Sequence, residues 1–138
     1  MSGMFGKKEK IPDGIRVCYY EGELREFPTD YACQLLLMDD VLRITKIKPY
    51  VEVRLDRQRI LSIDIYMNEA EYMAKYKGNA MTTSKCKSIP KHYYVLNYLD
   101  KAGEKKHMDF WGTAGETGDM RKMAIKIADS KEVKSYDI

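Results

Sequence analysis

The residues that most often carry chemistry alone are scarce in this chain. There are two histidines, His92 and His107, and three cysteines, Cys18, Cys33 and Cys86. The cysteines are odd in number, widely spaced and without a C-x-x-C pair. That argues against a zinc knuckle or a disulfide framework and for reduced thiols packed as small hydrophobes, as expected of a cytoplasmic protein. No apolar run approaches the roughly 18–20 residues a membrane-spanning helix needs. The opening MSGMFGKKEK is basic but lacks an apolar core, so it does not read as a secretory signal. Charge of one sign is also lacking. Twenty-four Lys and Arg stand against 21 Asp and Glu, a net +3. That balance is too even to name a nucleic acid or a membrane as the partner. No cofactor-binding motif and no metal-ligand spacing is read.

What is present is a soluble-domain balance of 44% hydrophobic and 33% charged residues over 138 positions, enough for one domain. The most legible stretch is His92 to Trp111, HYYVLNYLDKAGEKKHMDFW. Asp100 favours the first position of a turn, and Gly103 tolerates the left-handed conformation that closes a three-residue loop. That loop pairs Asp100 with Glu104, Tyr98 with Lys106, Leu96 with Met108 and Tyr94 with Phe110. Side chains alternate along a strand. Tyr94, Leu96, Met108 and Phe110 therefore form a core face. Tyr93, Val95, Asn97, Leu99, Lys105, His107, Asp109 and Trp111 form a mixed one. A slip of one residue would exchange the two.

Other strands are read from alternation. Ile15 to Tyr20 is one. Cys33 to Ile47 is a hairpin about Asp39-Asp40, with Cys33, Leu35, Leu37, Leu42 and Ile44 inward. Its second face (Gln34, Leu36, Met38, Val41, Arg43, Thr45) is more apolar than plain exposure requires, so a strand, a helix or another chain is expected over it. Pro49 interrupts. Val51, Val53 and Leu55 point inward on the next strand, Asp56 to Arg59 is a polar turn, and Ile60 to Tyr66 resumes as a strand.

Two segments read differently. Asn68 as N-cap, Glu69 and Glu71 in the first turn, and Lys75, Lys77 and Gly78 at the end predict a short helix. Residues 79–90 read as loop. Thr113 to Gly118 reads as a flexible Gly-rich joint. A second helix follows from about Asp119, with the stripe Met120, Met123, Ala124, Ile127 and Ala128. Residues 1–14 are a flexible basic lead, 15–132 the domain and 133–138 a tail. Strands first and a helix last predict an α+β, mainly β, architecture.

The ordered strings VCYYEGEL, CQLLLMDDVLRI, VEVRLDRQRILSIDI and YYVLNYLDKAGEKKHMDF resemble the bacterial PH-like domain proteins, a small family related to those found with SHOCT tails. The resemblance covers about residues 15 to 132. It implies a PH-like antiparallel, seven-stranded, partly open barrel with one C-terminal helix. It does not imply an inositol phosphate pocket, because the corresponding loop, Gly22 to Asp30, carries Glu23, Glu26 and Asp30 against Arg25 alone.

No catalytic constellation is assembled. His107 and Asp109 make an outer-face pair without a third group, and read as surface pairing. Cys86 stands among lysines but beside no histidine, and reads as an unreactive thiol. GTAGETG, residues 112–118, lacks both the G-x-G-x-x-G and G-K-[ST] patterns of phosphate loops. The one biased patch is Tyr72, Met73, Lys75, Tyr76, Lys77, Lys85, Lys87 and Lys91. Its tyrosines and methionine suit a protein partner, and its lysines suit an acidic surface. Tyr93 and Trp111, directly opposite in the hairpin, are expected under the C-terminal helix or at a subunit interface. The functional expectation is a non-enzymatic binding module. It would engage a protein partner or form a homo-oligomer through exposed strand edges. The alternative is peripheral binding of anionic lipid headgroups through the basic segment 75–91. Nucleic acid is the less favoured partner on charge balance.

Overall fold

The computed structural model describes residues 10–78 and 90–131. Seven strands are laid down in order: β1 (Ile15–Glu21), β2 (Tyr31–Leu37), β3 (Val41–Lys46), β4 (Val51–Asp56), β5 (Ile60–Tyr66), β6 (His92–Leu99) and β7 (Lys105–Gly112). Two helices accompany them, α1 (Glu69–Tyr76) after β5 and α2 (Ala114–Lys131) after β7. All pairings are antiparallel, and the sheet order is β4-β3-β2-β1-β7-β6-β5. The sheet is not closed: β4 and β5 are its two ends, although only a three-residue 3-10 turn, Arg57–Arg59, separates them in the chain. The α+β, mainly β, expectation is met, with seven strands, an open sheet and a helix at the end.

The β6–β7 hairpin has the expected register, Tyr94 opposite Phe110 and Leu96 opposite Met108. Its turn is built by Asp100. Oδ1 of that residue accepts from the backbone N–H groups of Ala102 and Glu104, both at 2.9 Å, while Gly103 takes φ +84°. The β2–β3 hairpin likewise pairs Leu37 with Leu42 and Leu35 with Ile44. Its second face is closed partly from within, because Gln34 and Thr45 are buried and Thr45 Oγ1 donates to Gln34 Oε1 at 2.8 Å. A pair that satisfies itself makes burial of polar groups tolerable.

The main core gathers Val17, Cys33, Leu35, Leu42, Ile44, Ile60, Tyr94, Leu96 and Phe110 from the sheet with Met120, Met123 and Ile127 from α2. Helix α2 thus lies on the Tyr94–Phe110 face. Of the two coverings expected for Tyr93 and Trp111, the C-terminal helix is corrected: Tyr93 is covered by α1, and Trp111 is half-buried beside the same cluster. The reason is parity. Tyr93 and Tyr94 project to opposite sides of β6, so one helix cannot reach both.

A second correction concerns Thr113 to Gly118, expected as a flexible joint. It is the first turn of α2. Thr113 and Glu116 form a capping box: Glu116 Oε1 accepts from the Thr113 backbone N–H at 2.8 Å and its hydroxyl at 3.0 Å. Thr113 Oγ1 in turn accepts from Gly115 N at 3.4 Å. This reciprocal cap offsets the two glycines that follow it. Helix α1 matches its reading closely, with Asn68 Oδ1 accepting from Ala70 N at 2.8 Å and Gly78 at φ +76°.

Candidate interaction surfaces

Parity puts Tyr66, Tyr93 and Trp111 in one cross-strand row on the outer face of β5, β6 and β7, and Cys18 of β1 continues it. The next row is Asp64, Val95 and Asp109, and the next Ser62, Asn97 and His107. Helix α1 settles across these rows. The Tyr72 ring stacks on Tyr93 with centroids 4.1 Å apart and planes 6° from parallel. Tyr20 meets both edge-on, at 6.0 and 5.5 Å. Tyr66 and Tyr76 complete the layer, their hydroxyls 3.2 Å apart. Five tyrosines thus form a second apolar cluster on the far side of the sheet from the main core, with Val95 at its base.

Hydroxyl groups buried in such a layer need acceptors. Tyr72 donates to Asp109 Oδ2, and Tyr93 donates to Glu69 Oε2 at 2.9 Å. The other oxygen of Asp109 meets His107 Nδ1 at 2.6 Å. Burial, followed by the bonds to Asp109 and Glu69, pushes both phenols above the ordinary tyrosine range, so both remain neutral donors. The His107–Asp109 pair was expected wholly on the surface. Half of that is corrected, for the Asp109 side chain is 1% exposed under α1 while that of His107 is 44% exposed. A His–Asp pair can serve proton transfer, but Tyr72, the third member, is itself fully buried and holds the carboxylate in place. The trio ties α1 to β7.

The residues expected to bind are divided by this packing. Tyr72 is fully buried, so it is not a partner contact; Met73 and Tyr76 are half-buried in the same cluster. Lys75 lies over the rings of Tyr66 and Tyr76, at 5.8 and 5.7 Å. Lys77 lies over Tyr20 at 5.5 Å and pairs with Glu21. Lys91 lies over Trp111 at 4.5 Å. Lys85 and Lys87 lie outside the described residues, as does Cys86. Among the described residues, no group of three or more His, Cys, Asp or Glu side chains converges as a metal site, and no helix is long and apolar enough to cross a membrane.

The two sheet ends differ. Strand β5 carries a register shift between Ile60 and Ser62, and α2 packs along it. Among the described residues, strand β4 has neither device. Its six pairs with β3 run without a shift, and it holds no proline. Bulges, prolines and covering helices are the means by which proteins blunt a strand edge. On its inner side β4 opens on a cleft of about 490 Å³, where Leu24, Val53, Leu55, Tyr98 and Met108 meet. Loop residue Glu23 crosses the mouth, accepting from the Tyr98 hydroxyl, with Lys106 3.6 Å away. The acidity of that loop, which argued against phosphate binding, is spent here on the hairpin.

Neither protein-family models nor curated protein sequences include a match to this chain.

On the outer face of β4, Glu52 joins two groups. Its Oε1 accepts from the Tyr50 hydroxyl at 2.6 Å and its Oε2 from Arg54 Nε at 2.5 Å. Arg43 of β3 stands directly opposite Arg54. The arrangement holds the Glu52 carboxyl below the usual carboxylate range, chiefly through the Tyr50 and Arg54 bonds. This group is not visible in the sequence, because one Glu and one Arg in a short strand carry no signal until the strand proves to be an edge.

Proposed function

We propose that this chain is a non-enzymatic binding module on a PH-like fold, engaging a protein partner by strand addition at β4. The strand order and the C-terminal helix seated in the open sheet support the PH-like assignment. The observation that carries the binding reading is the edge of β4, regular over six residues and bordered by an apolar cleft. Main-chain groups on such an edge supply affinity to an incoming strand, and side chains alternate between cleft and solvent to supply selectivity. The phenol layer under α1 fits this reading as a structural support, since the Tyr72 and Tyr93 hydroxyls bond to internal carboxylates and those of Tyr66 and Tyr76 to each other.

The test is site-specific photocrosslinking in cells. A benzophenone amino acid in place of Tyr50, which is 50% exposed beside β4, is compared with one in place of Ile125, 53% exposed on α2. Protein adducts from position 50 alone are expected. Adducts from neither position, or equally from both, would overturn the edge reading.

A second reading rests on Lys75, Lys77 and Lys91, each set beside an aromatic ring on the α1 side. Aromatic rings and ammonium groups together suit an anionic lipid surface. Co-sedimentation with phosphatidylserine vesicles, lost in Lys75→Glu and Lys91→Glu and at high salt, is its signature. Absence of binding to such vesicles at low salt removes it.

A further inference from the structure

The sequence of β4, V-E-V-R-L-D, is complementary to itself when reversed. An antiparallel partner centred on Val53 sets Val53 against Val53 and Val51 against Leu55 on the inner face. On the outer face it sets Glu52 against Arg54, twice, and Tyr50 against Asp56. No neighbouring register does this. An axis at Glu52 puts two carboxylates face to face, and an axis at Arg54 puts two guanidinium groups face to face. An axis between two residues brings the inner face of one strand against the outer face of the other.

Two features of the structure favour that register. Val51 and Val53 are only half-buried, so the inner face of the edge retains apolar surface to cover. Arg54 has like charge across from it on β3, where Arg43 is its direct neighbour, and like charges directly opposite destabilise a ladder. One carboxylate, Glu52, serves that pair from within the chain. A second copy would bring another carboxylate to the open side of Arg54. Twofold symmetry also repeats the Glu52–Arg54 and Val51–Leu55 contacts on either side of the axis, as in any isologous interface.

We infer that the partner of the β4 edge is a second copy of this chain, paired antiparallel about Val53 to join two seven-stranded sheets into one of fourteen. This deepens the proposed strand addition and rests on it.

The test is a charge exchange read by analytical ultracentrifugation across a concentration series. In its own dimer, Glu52→Arg sets guanidinium groups against each other in both cross-strand pairs; Arg54→Glu sets carboxylates against each other in both. Each variant alone is expected to dimerise at least about tenfold more weakly than the parent chain, the scale of two cross-strand charge pairs turned from attraction to repulsion. An equimolar mixture restores both oppositely charged pairs in a heterodimer, so its dimer signal returns, as it does in the doubly exchanged Glu52→Arg/Arg54→Glu chain. Far-ultraviolet circular dichroism of each variant separates loss of dimer from loss of fold. A parent chain that is monomeric at every concentration overturns the inference, as does a dimer that both single variants form unchanged. If the chain is monomeric yet position 50 still crosslinks to a different protein, strand addition stands and only the second copy falls. An acidic or basic peptide bound at β4 by a monomeric chain has the same meaning.

Discussion

Asp109 shows how much depends on one side chain in a small domain. It is buried on the outer face of β7, and both its oxygens are occupied, one by Tyr72 and one by His107. Tyr72→Phe removes one donor and leaves part of a buried carboxylate unpaired, which costs about 1–3 kcal/mol. Urea denaturation should show that loss as a lower midpoint with an unchanged slope. Alanine at the same position also empties the stack on Tyr93, and about 3–5 kcal/mol is expected. The phenols predict a pH dependence of definite sign. Tyr72, Tyr76, Tyr93 and Tyr98 are all raised above their ordinary value of 10.0, each first by burial. Above that value the unfolded chain loses protons the folded chain keeps. Their contribution to stability is therefore whole below pH 10 and declines as pH rises further. A titration followed at the tyrosinate absorbance should show the exposed phenols ionising first and these four ionising together with unfolding. Smooth ionisation of all eleven tyrosines near pH 10, with the fold intact, would contradict the packing described. Of these contacts the sequence showed only the His107–Asp109 pair. Alternation places Tyr93 and Asp109 on one face, but it does not say which helix covers that face.

At the scale of elements, the sequence was most informative where local chemistry dictates geometry. Asp100 and Gly103 specify their turn whatever surrounds it, so the register of β6 and β7 could be read in full. Asn68 and Gly78 bound α1 for the same reason. The start of α2 departs from the expected flexible joint because the Thr113–Glu116 capping box outweighs the glycine content of the first turn. Two substitutions of opposite sign follow. Thr113→Ala should cost about 0.5–2 kcal/mol by loss of the cap. Gly118→Ala should add up to about 1 kcal/mol, since the position lies within the helix and open space surrounds an added methyl group. Thermal melts of the two variants against the parent chain check both. A Gly118→Ala chain less stable than the parent would mean that the first turn is strained rather than regular.

At the scale of the molecule, the open sheet has, among the described residues, one guarded end and one unguarded end. Alternation announced the strands but could not rank their edges, because an edge is a property of the assembled order and not of any strand. The candidate site moved accordingly. Within the lysine- and tyrosine-rich patch Tyr72 is buried and Met73 and Tyr76 are half-buried, and among the described residues the short strand V-E-V-R-L-D is a sheet end without a second partner strand. The central claim is that this edge is occupied in the working state. Amide hydrogen exchange resolved by residue along Val51 to Asp56, compared between dilute and concentrated protein, tests it most directly. The account predicts that the β4 amides directed away from β3 gain protection as concentration rises, while those of β5 and α1 do not change. Equal exchange of the β4 edge amides at every concentration would contradict it.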